Sequence, residues 1–309
     1  MADLDLPVLD LRDLLGARRG AFVAALGDAL ERYGFVAITG HGIPVDLLSA
    51  AYRDAAAFFA SPEADKRRFE HPQIGRQRGY TGYRVEHAKD HVVADLKEFY
   101  QLGRDLPADH PLVTSGAQPA NVFPTRPESF TRTFRALFAA MDTFGLHLLG
   151  AIGEHLGLPE HTFDEAVHDG NSVLRVIHYP PVPPDADPHA VRAAAHEDIN
   201  LLTILPTSTQ PGLELLDKHG VWRALSTPPD VMICDTGDLM QRYTGGLLPS
   251  VTHRVVNPPG GANTSRYSMP YFMHPRPDWV IRPLRGEAAP ITAGAFLRER
   301  LIENGVLEA

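Results

Sequence analysis

His196, Asp198 and His253 are the residues of this chain best suited to holding a metal ion. His196-Glu197-Asp198 stands just before the apolar run INLLTIL. On an extended backbone alternate side chains share a face, so the imidazole and the Asp198 carboxylate point one way and Glu197 the other. A third ligand has to come from elsewhere. His253, in SVTHRVV about 55 residues further on, lies in a second β-rich run that an antiparallel barrel can bring alongside the first. Two imidazoles and one carboxylate on one face leave coordination positions open, as a non-haem Fe(II) centre that binds both a cosubstrate and O2 requires. The same donors also suit a hydrolytic zinc. With 15 His in the chain, roughly one His-x-Asp is expected by chance, so the tripeptide alone is a weak signal.

Arg266-Tyr267-Ser268 adds a second chemical element. Arg and Ser again share a strand face. The guanidinium is a two-pronged fork for a carboxylate, and the hydroxyl is one more donor. Following His253 closely, the pair can line the same cavity and anchor an acid. A zinc hydrolase leaves this pair without a task.

The elements that must position these groups fall into two halves. Before about residue 170 the apolar spacing is mostly helical. A short strand is expected at Pro7–Asp10, a helix over Ala21–Arg32 ended by Gly34, and a strand at Phe35–Thr39. A helix then runs from Pro44 to Phe59, and Ser61-Pro62 forms an N-cap and first-turn pair for another. Residues 72–125 carry glycines, charges and prolines and are expected to be loops with one or two strands. Phe130, Phe134, Leu137, Phe138, Met141, Leu148, Ile152 and Leu156 make one stripe, marking a helix from Pro127 to Leu156 that serves as a structural spine.

After Asn171 short β-rich runs alternate with turn residues: Val173–Tyr179, Asn200–Leu205, Leu213–Leu215, Val231–Cys234, Val251–Val256 and Tyr267–Met273. That spacing predicts a sandwich or barrel. A last helix starts at the capping residue Thr292 and ends near Gly305. Asp238 reads as a turn former, His41, His178 and Cys234 as structural residues.

The 309 residues are 44% hydrophobic, enough for a sizeable core, and barrels of roughly 200–250 residues often form a single domain. The net charge of −9 disfavours nucleic acid and anionic membranes as partners. The lone cysteine, Cys234, excludes an intramolecular disulfide and a thiolate zinc site, and fits a reducing compartment. No uninterrupted apolar run approaches the ~18 residues of a membrane helix, and the N-terminus lacks the basic n-region of a signal peptide. A soluble, cytoplasmic protein, monomeric or weakly self-associating, is expected.

Segments along nearly the whole chain resemble the isopenicillin N synthase-like branch of the 2-oxoglutarate- and Fe(II)-dependent dioxygenases. They are LPVLDL, YGFVAITGHGIP, DLKEFY, LRVIHYPP, AHEDINLLTIL, GLELLD, DTGDLMQRYTGG, PSVTHRVVNP and RYSMPYF, in that order. The resemblance implies a mainly β fold with flanking α: a double-stranded β-helix, or jelly roll, over residues 171–285. A mostly helical region 1–170 would pack on it, and the C-terminal helix would lie in 286–309. It implies Fe(II) on His196, Asp198 and His253, and 2-oxoglutarate held at its distal carboxylate by Arg266 and Ser268, with Tyr179 in support. Arg175 matches a position near the cosubstrate's metal-bound end. Ile177-His178-Tyr179-Pro180 departs from the common Asn-Tyr-Tyr-Pro pattern, so the Asn contact is absent.

The activity implied is oxidation, typically hydroxylation, of a small molecule with O2, releasing succinate and CO2. Tyr80, Tyr83 and Arg84, in the expected loop Arg78–Glu86, are candidates to touch the substrate. Two alternatives stay open: an Fe(II) oxidase that uses no 2-oxoglutarate, and a non-catalytic ligand-binding barrel.

Overall fold

The computed structural model describes residues 4–86, 93–226, 228, 230–258 and 263–303. Two sheets make the core. The larger runs Val8–Asp10, Phe35–Thr39, Met232–Thr236, Leu202–Pro206, Tyr271–Met273, Val173–Tyr179, Glu98–Gly103, Gly79–Thr81. Arg266–Ser268 also pairs with Val173–Tyr179. The smaller runs Ala193–His196, His253–Val255, Leu213–Leu216, Trp222–Ala224. Val8–Asp10 joins its neighbour in parallel; the other pairings in these two sheets are antiparallel.

The large sheet is apolar on both faces, which explains why its strands read as nearly continuous hydrophobic runs. Val36, Ile38, Leu174, Val176, Ile204, Cys234 and Tyr271 face the helices. Phe35, Ala37 and Ile233 meet Leu215 of the small sheet, and Phe99, Ile177 and Tyr179 meet Ala193 and Val255. Each large apolar side chain so buried contributes about 1.5–3 kcal/mol.

The expected spine is the helix Phe130–His155, with every stripe residue from Phe130 to Ile152 buried. It is long and apolar enough to cross a membrane by composition, but here it packs in the core. Gly145 lets it approach the sheet closely: a Cβ there would stand 2.0 Å from Met273 Sδ. Helices Arg19–Tyr33 and Val45–Phe59 pack against it.

Several elements differ from expectation. The region before residue 170 supplies four strands of the large sheet, so it is woven into the barrel rather than laid over it. The run Tyr267–Met273 breaks at Met269-Pro270, because proline has no N–H to donate; its carbonyl instead accepts from Arg175 N at 2.9 Å. Pro62, not Ser61, caps the helix Glu63–Arg67. Asp238 opens a short helix, Asp238–Thr244. Ala193–His196 is a strand that its alanines concealed. The last helix is Ala293–Glu303, with Thr292 Oγ1 accepting from Ala295 N; Gly305 lies outside the described residues.

Candidate metal and cosubstrate site

His196 and His253 are direct partners across two antiparallel strands of the small sheet. Their rings project to one side with centroids 4.5 Å apart. Each Nδ1 donates to a backbone carbonyl two residues earlier, His196 to Ala194 at 2.7 Å and His253 to Val251 at 3.1 Å. That fixes the tautomer and leaves the Nε2 lone pairs free for a metal. Asp198 comes from the turn beyond the first strand and places Oδ1 4.0 Å from His196 Nε2 and 3.8 Å from His253 Nε2. One ligand atom from each residue fits within a 4.8 Å cluster. Burial, and then the neighbouring His253, push the His196 imidazole down to about 4, so it is a neutral ligand at physiological pH. Glu197 turns away and accepts from the Thr252 hydroxyl.

Asp198 is itself oriented. Thr203 donates its hydroxyl to Oδ2, and Asn200 Nδ2 donates to Thr203 Oγ1 at 2.8 Å. Asp235 stands opposite Thr203 in the sheet register, and burial followed by the Asp198 charge pushes its carboxyl well up, toward the neutral acid.

A second polar centre lies where Arg266–Ser268 pairs with Val173–Tyr179. Arg266 is opposite Tyr179 and Ser268 opposite Ile177. Arg266 is only 2% exposed, and its guanidinium lies 5.1 Å from the Tyr179 ring centroid. Nε donates to the Gln210 carbonyl at 3.0 Å and one Nη to Ser208 Oγ at 2.9 Å, while Ser208 and Ser268 hydroxyls stand 3.2 Å apart. The other Nη is buried and makes no hydrogen bond of good geometry among the described residues. A buried cation with a free prong and two hydroxyls beside it requires an anion, and a carboxylate matches that donor set.

The cavity in front of His196 and Asp198 encloses about 690 Å³. One wall is Arg175, clamped between the rings of Phe99 and Phe272, with its guanidinium 4.4 and 5.6 Å from their centroids. Arg175 Nε donates to Gln101 at 3.0 Å and Nη1 pairs with Glu86 at 3.3 Å. Lys97 bridges Glu86 at 2.9 Å and Asp95 at 2.8 Å. Burial alone would raise the Glu86 carboxyl, but Arg175 and Lys97 outweigh it and bring it to about 2. Leu297 and Arg300 of the last helix close another side.

Family models match two segments of the chain. Residues 6–126 fit the "non-haem dioxygenase in morphine synthesis N-terminal" family, and residues 170–275 the 2OG-Fe(II) oxygenase superfamily. A 2-oxoglutarate-Fe(II) type oxidoreductase, hxnY of Emericella nidulans, is 30% identical over 92% of this chain and 83% of its own length. This chain belongs to the 2-oxoglutarate- and Fe(II)-dependent oxygenases. The oxygenase also resembles proline hydroxylase buaE of Petromyces alliaceus, 32% identical over 89% of each chain. A crystal structure described as a 2OG-Fe(II) oxygenase family protein from Caulobacter crescentus superposes with a TM-score of 0.86 at 36% identity, covering 96% of this chain and 98% of that one. The jelly-roll fold follows, and the oxygenase uses Fe(II), 2-oxoglutarate and O2.

The oxygenase's interior corrects one part of the sequence reading. Tyr80, Tyr83 and Arg84 do not line the cavity; Thr81, Val85 and Glu86 do. Gly79–Thr81 is a strand, so Tyr80 and Thr81 face opposite ways. Tyr80 is fully buried and donates its hydroxyl to Glu98, which also holds Lys66 at 2.6 Å and His178 at 2.7 Å. Arg84 is exposed and rests on the Tyr83 ring. Sequence reasoning missed Ser208, Thr203, Glu86, Lys97 and Gln101. Of these Lys97 and Thr203 lay in segments singled out beforehand, DLKEFY and AHEDINLLTIL, and Glu86 ended the loop Arg78–Glu86, but none was named as a site residue.

Proposed function

We propose that this oxygenase hydroxylates a small polar molecule, with His196, Asp198 and His253 as the Fe(II) ligands. Arg266, Ser268 and Tyr179 hold the distal carboxylate of 2-oxoglutarate. Arg175 is assigned to the metal-bound end, supported by its seat in the wall of the cavity onto which His196 and Asp198 open. The observation that carries the reading is the buried Nη of Arg266, unpartnered among the described residues, on the strand next to the one that bears Arg175 and opposite that strand's far end at Tyr179. Hydroxylation is supported by the Petromyces relative's name.

When bound, Fe(II) couples the oxidative decarboxylation of 2-oxoglutarate by O2 to oxidation of a C–H bond. The chain's own contribution is positional. Backbone carbonyls lock both imidazoles, Thr203 fixes the carboxylate, and Arg266 sets the depth to which the cosubstrate inserts. The Glu86, Lys97 and Arg175 ion pairs give the substrate a charged and hydrogen-bonding wall, while Phe99 and Phe272 exclude water around it. No proton-transfer dyad is needed.

We place the enzyme in the cytoplasm, supported by its lone buried cysteine, acting as a monomer or weak homo-oligomer without nucleic acid or membrane. The test is anaerobic loading with Fe(II) and 2-oxoglutarate, then O2 and a panel of small polar substrates. Substrate-stimulated succinate is the expected product. O2 consumption without succinate would establish the 2-oxoglutarate-independent alternative instead.

A further inference from the structure

Arg192 is a second fully buried arginine beside the acid-binding centre. It is 1% exposed and has no acidic partner among the described residues. It stands in the bend just before the strand Ala193–His196, at the place where that strand's pairing with His253–Val255 shifts register. Nη2 donates to the carbonyl of Thr264, two residues from Arg266, at 2.6 Å, and Nε is buried with no hydrogen-bond partner among the described residues. Arg266 and Tyr179 are close enough to act on it electrostatically, Arg266 disfavouring its charge. Two guanidiniums thus share one buried region without a carboxylate between them. Such an arrangement is unfavourable in the empty protein, and a bound anion relieves it.

We propose that Arg192 is a second cationic determinant of cosubstrate binding, acting with Arg266 on the carboxylate that 2-oxoglutarate buries there. The inference rests on the assignment of that carboxylate to Arg266. Its consequence is specificity. With two cations at the closed end, the site rejects 2-oxo acids whose tails end in a neutral group, because an uncharged tail leaves both guanidiniums unpaired.

The experiment measures binding of 2-oxoglutarate and of 2-oxobutyrate by calorimetry, in full-length protein loaded with Fe(II) without O2. Thermal unfolding is followed with and without 2-oxoglutarate. The variants are R192M, R192K and R266M. Loss of a charge-assisted contact predicts that R192M weakens 2-oxoglutarate by about tenfold or more, with little change for 2-oxobutyrate. R192K recovers part of the loss. The unliganded R192M protein unfolds no lower than wild type, since an unpaired buried charge has gone, while its stabilisation by 2-oxoglutarate shrinks. A purely structural tie to Thr264 gives the opposite pattern: lower unliganded stability and unchanged 2-oxoglutarate affinity. That pattern, with R266M still weakening binding, overturns the role of Arg192 alone. Unchanged binding in R266M overturns the carboxylate assignment as well. If R192M does not fold, R192K decides: an unchanged ratio of the two affinities refutes the proposal, and a reduced ratio supports it.

Discussion

Thr203→Val tests how far the metal site depends on a residue that never touches the metal. Thr203 is 3% exposed, in the middle of a large-sheet strand, and its hydroxyl is the link between Asn200 and the Asp198 carboxylate. Valine keeps the shape and the strand pairing but removes that link. A hydrogen bond to a charged group is worth about 1.5–3 kcal/mol, and losing an outer partner of a metal ligand typically weakens metal binding about 10–100-fold. Asp235 sharpens the effect, because it sits opposite Thr203 and is held toward its neutral form by burial and by the Asp198 charge. Without the hydroxyl, Asp198 is freer to turn toward Asp235 and away from the two imidazoles. The assay is a competitive Fe(II) or Mn(II) titration of wild type, T203V and T203S. T203S retains the hydroxyl and should stay near wild type. Equal metal affinity in T203V and wild type would show that Asp198 is oriented by something else.

His253→Ala removes one of the two cross-strand imidazoles and should abolish both metal retention and succinate formation; turnover in that variant would mean that the third ligand lies elsewhere. Tyr80→Phe should cost about 1.5–3 kcal/mol in chemical denaturation, from the lost bond to the charged Glu98, with the KM for the primary substrate unchanged. A shifted KM at unchanged stability would return Tyr80 to the cavity. Burial lowers the His274 imidazole from 6.5 to about 4, so the unfolded chain takes up the proton first. Its contribution to stability is complete above pH 6.5 and is lost as the pH falls toward 4. H274Q should therefore flatten the unfolding midpoint over that window, and an unaltered slope would assign it to other groups. Cys234, buried and with its thiol pushed up by burial and by Asp235, should resist thiol reagents in the folded protein and react on unfolding.

The legible part of the site was the part carried by local alternation. Arg266 with Ser268 announce themselves because two residues apart on one strand means one face, and His196 with Asp198 by their spacing, although the strand ends at His196 and a turn carries Asp198. Alternation also accounts for the failure at Tyr80: reading Arg78–Glu86 as a loop discarded it, and residues were chosen by type instead of by face. Arg192 was hidden because one buried arginine has no sequence signature. Its meaning depends on Arg266, brought close by folding. Ser208 and Glu86 were hidden for the same reason. In the fold, the spine helix was plain from its 3.6-residue period, whereas Ala193–His196 was obscured by three alanines, which pack too little surface to signal a strand.

The two imidazoles belong to the small sheet, while the Asp198 carboxylate is tied through Thr203 to the large one. A metal ion at this point is a rivet through both walls of the barrel. Prising the sheets apart would break its coordination, so loading and folding are thermodynamically linked. The unloaded chain should be the form that breathes, exchanges amide protons along the seam and meets proteases first. The amount of this enzyme in a cell would then follow the supply of its metal, with the barrel itself as the gauge.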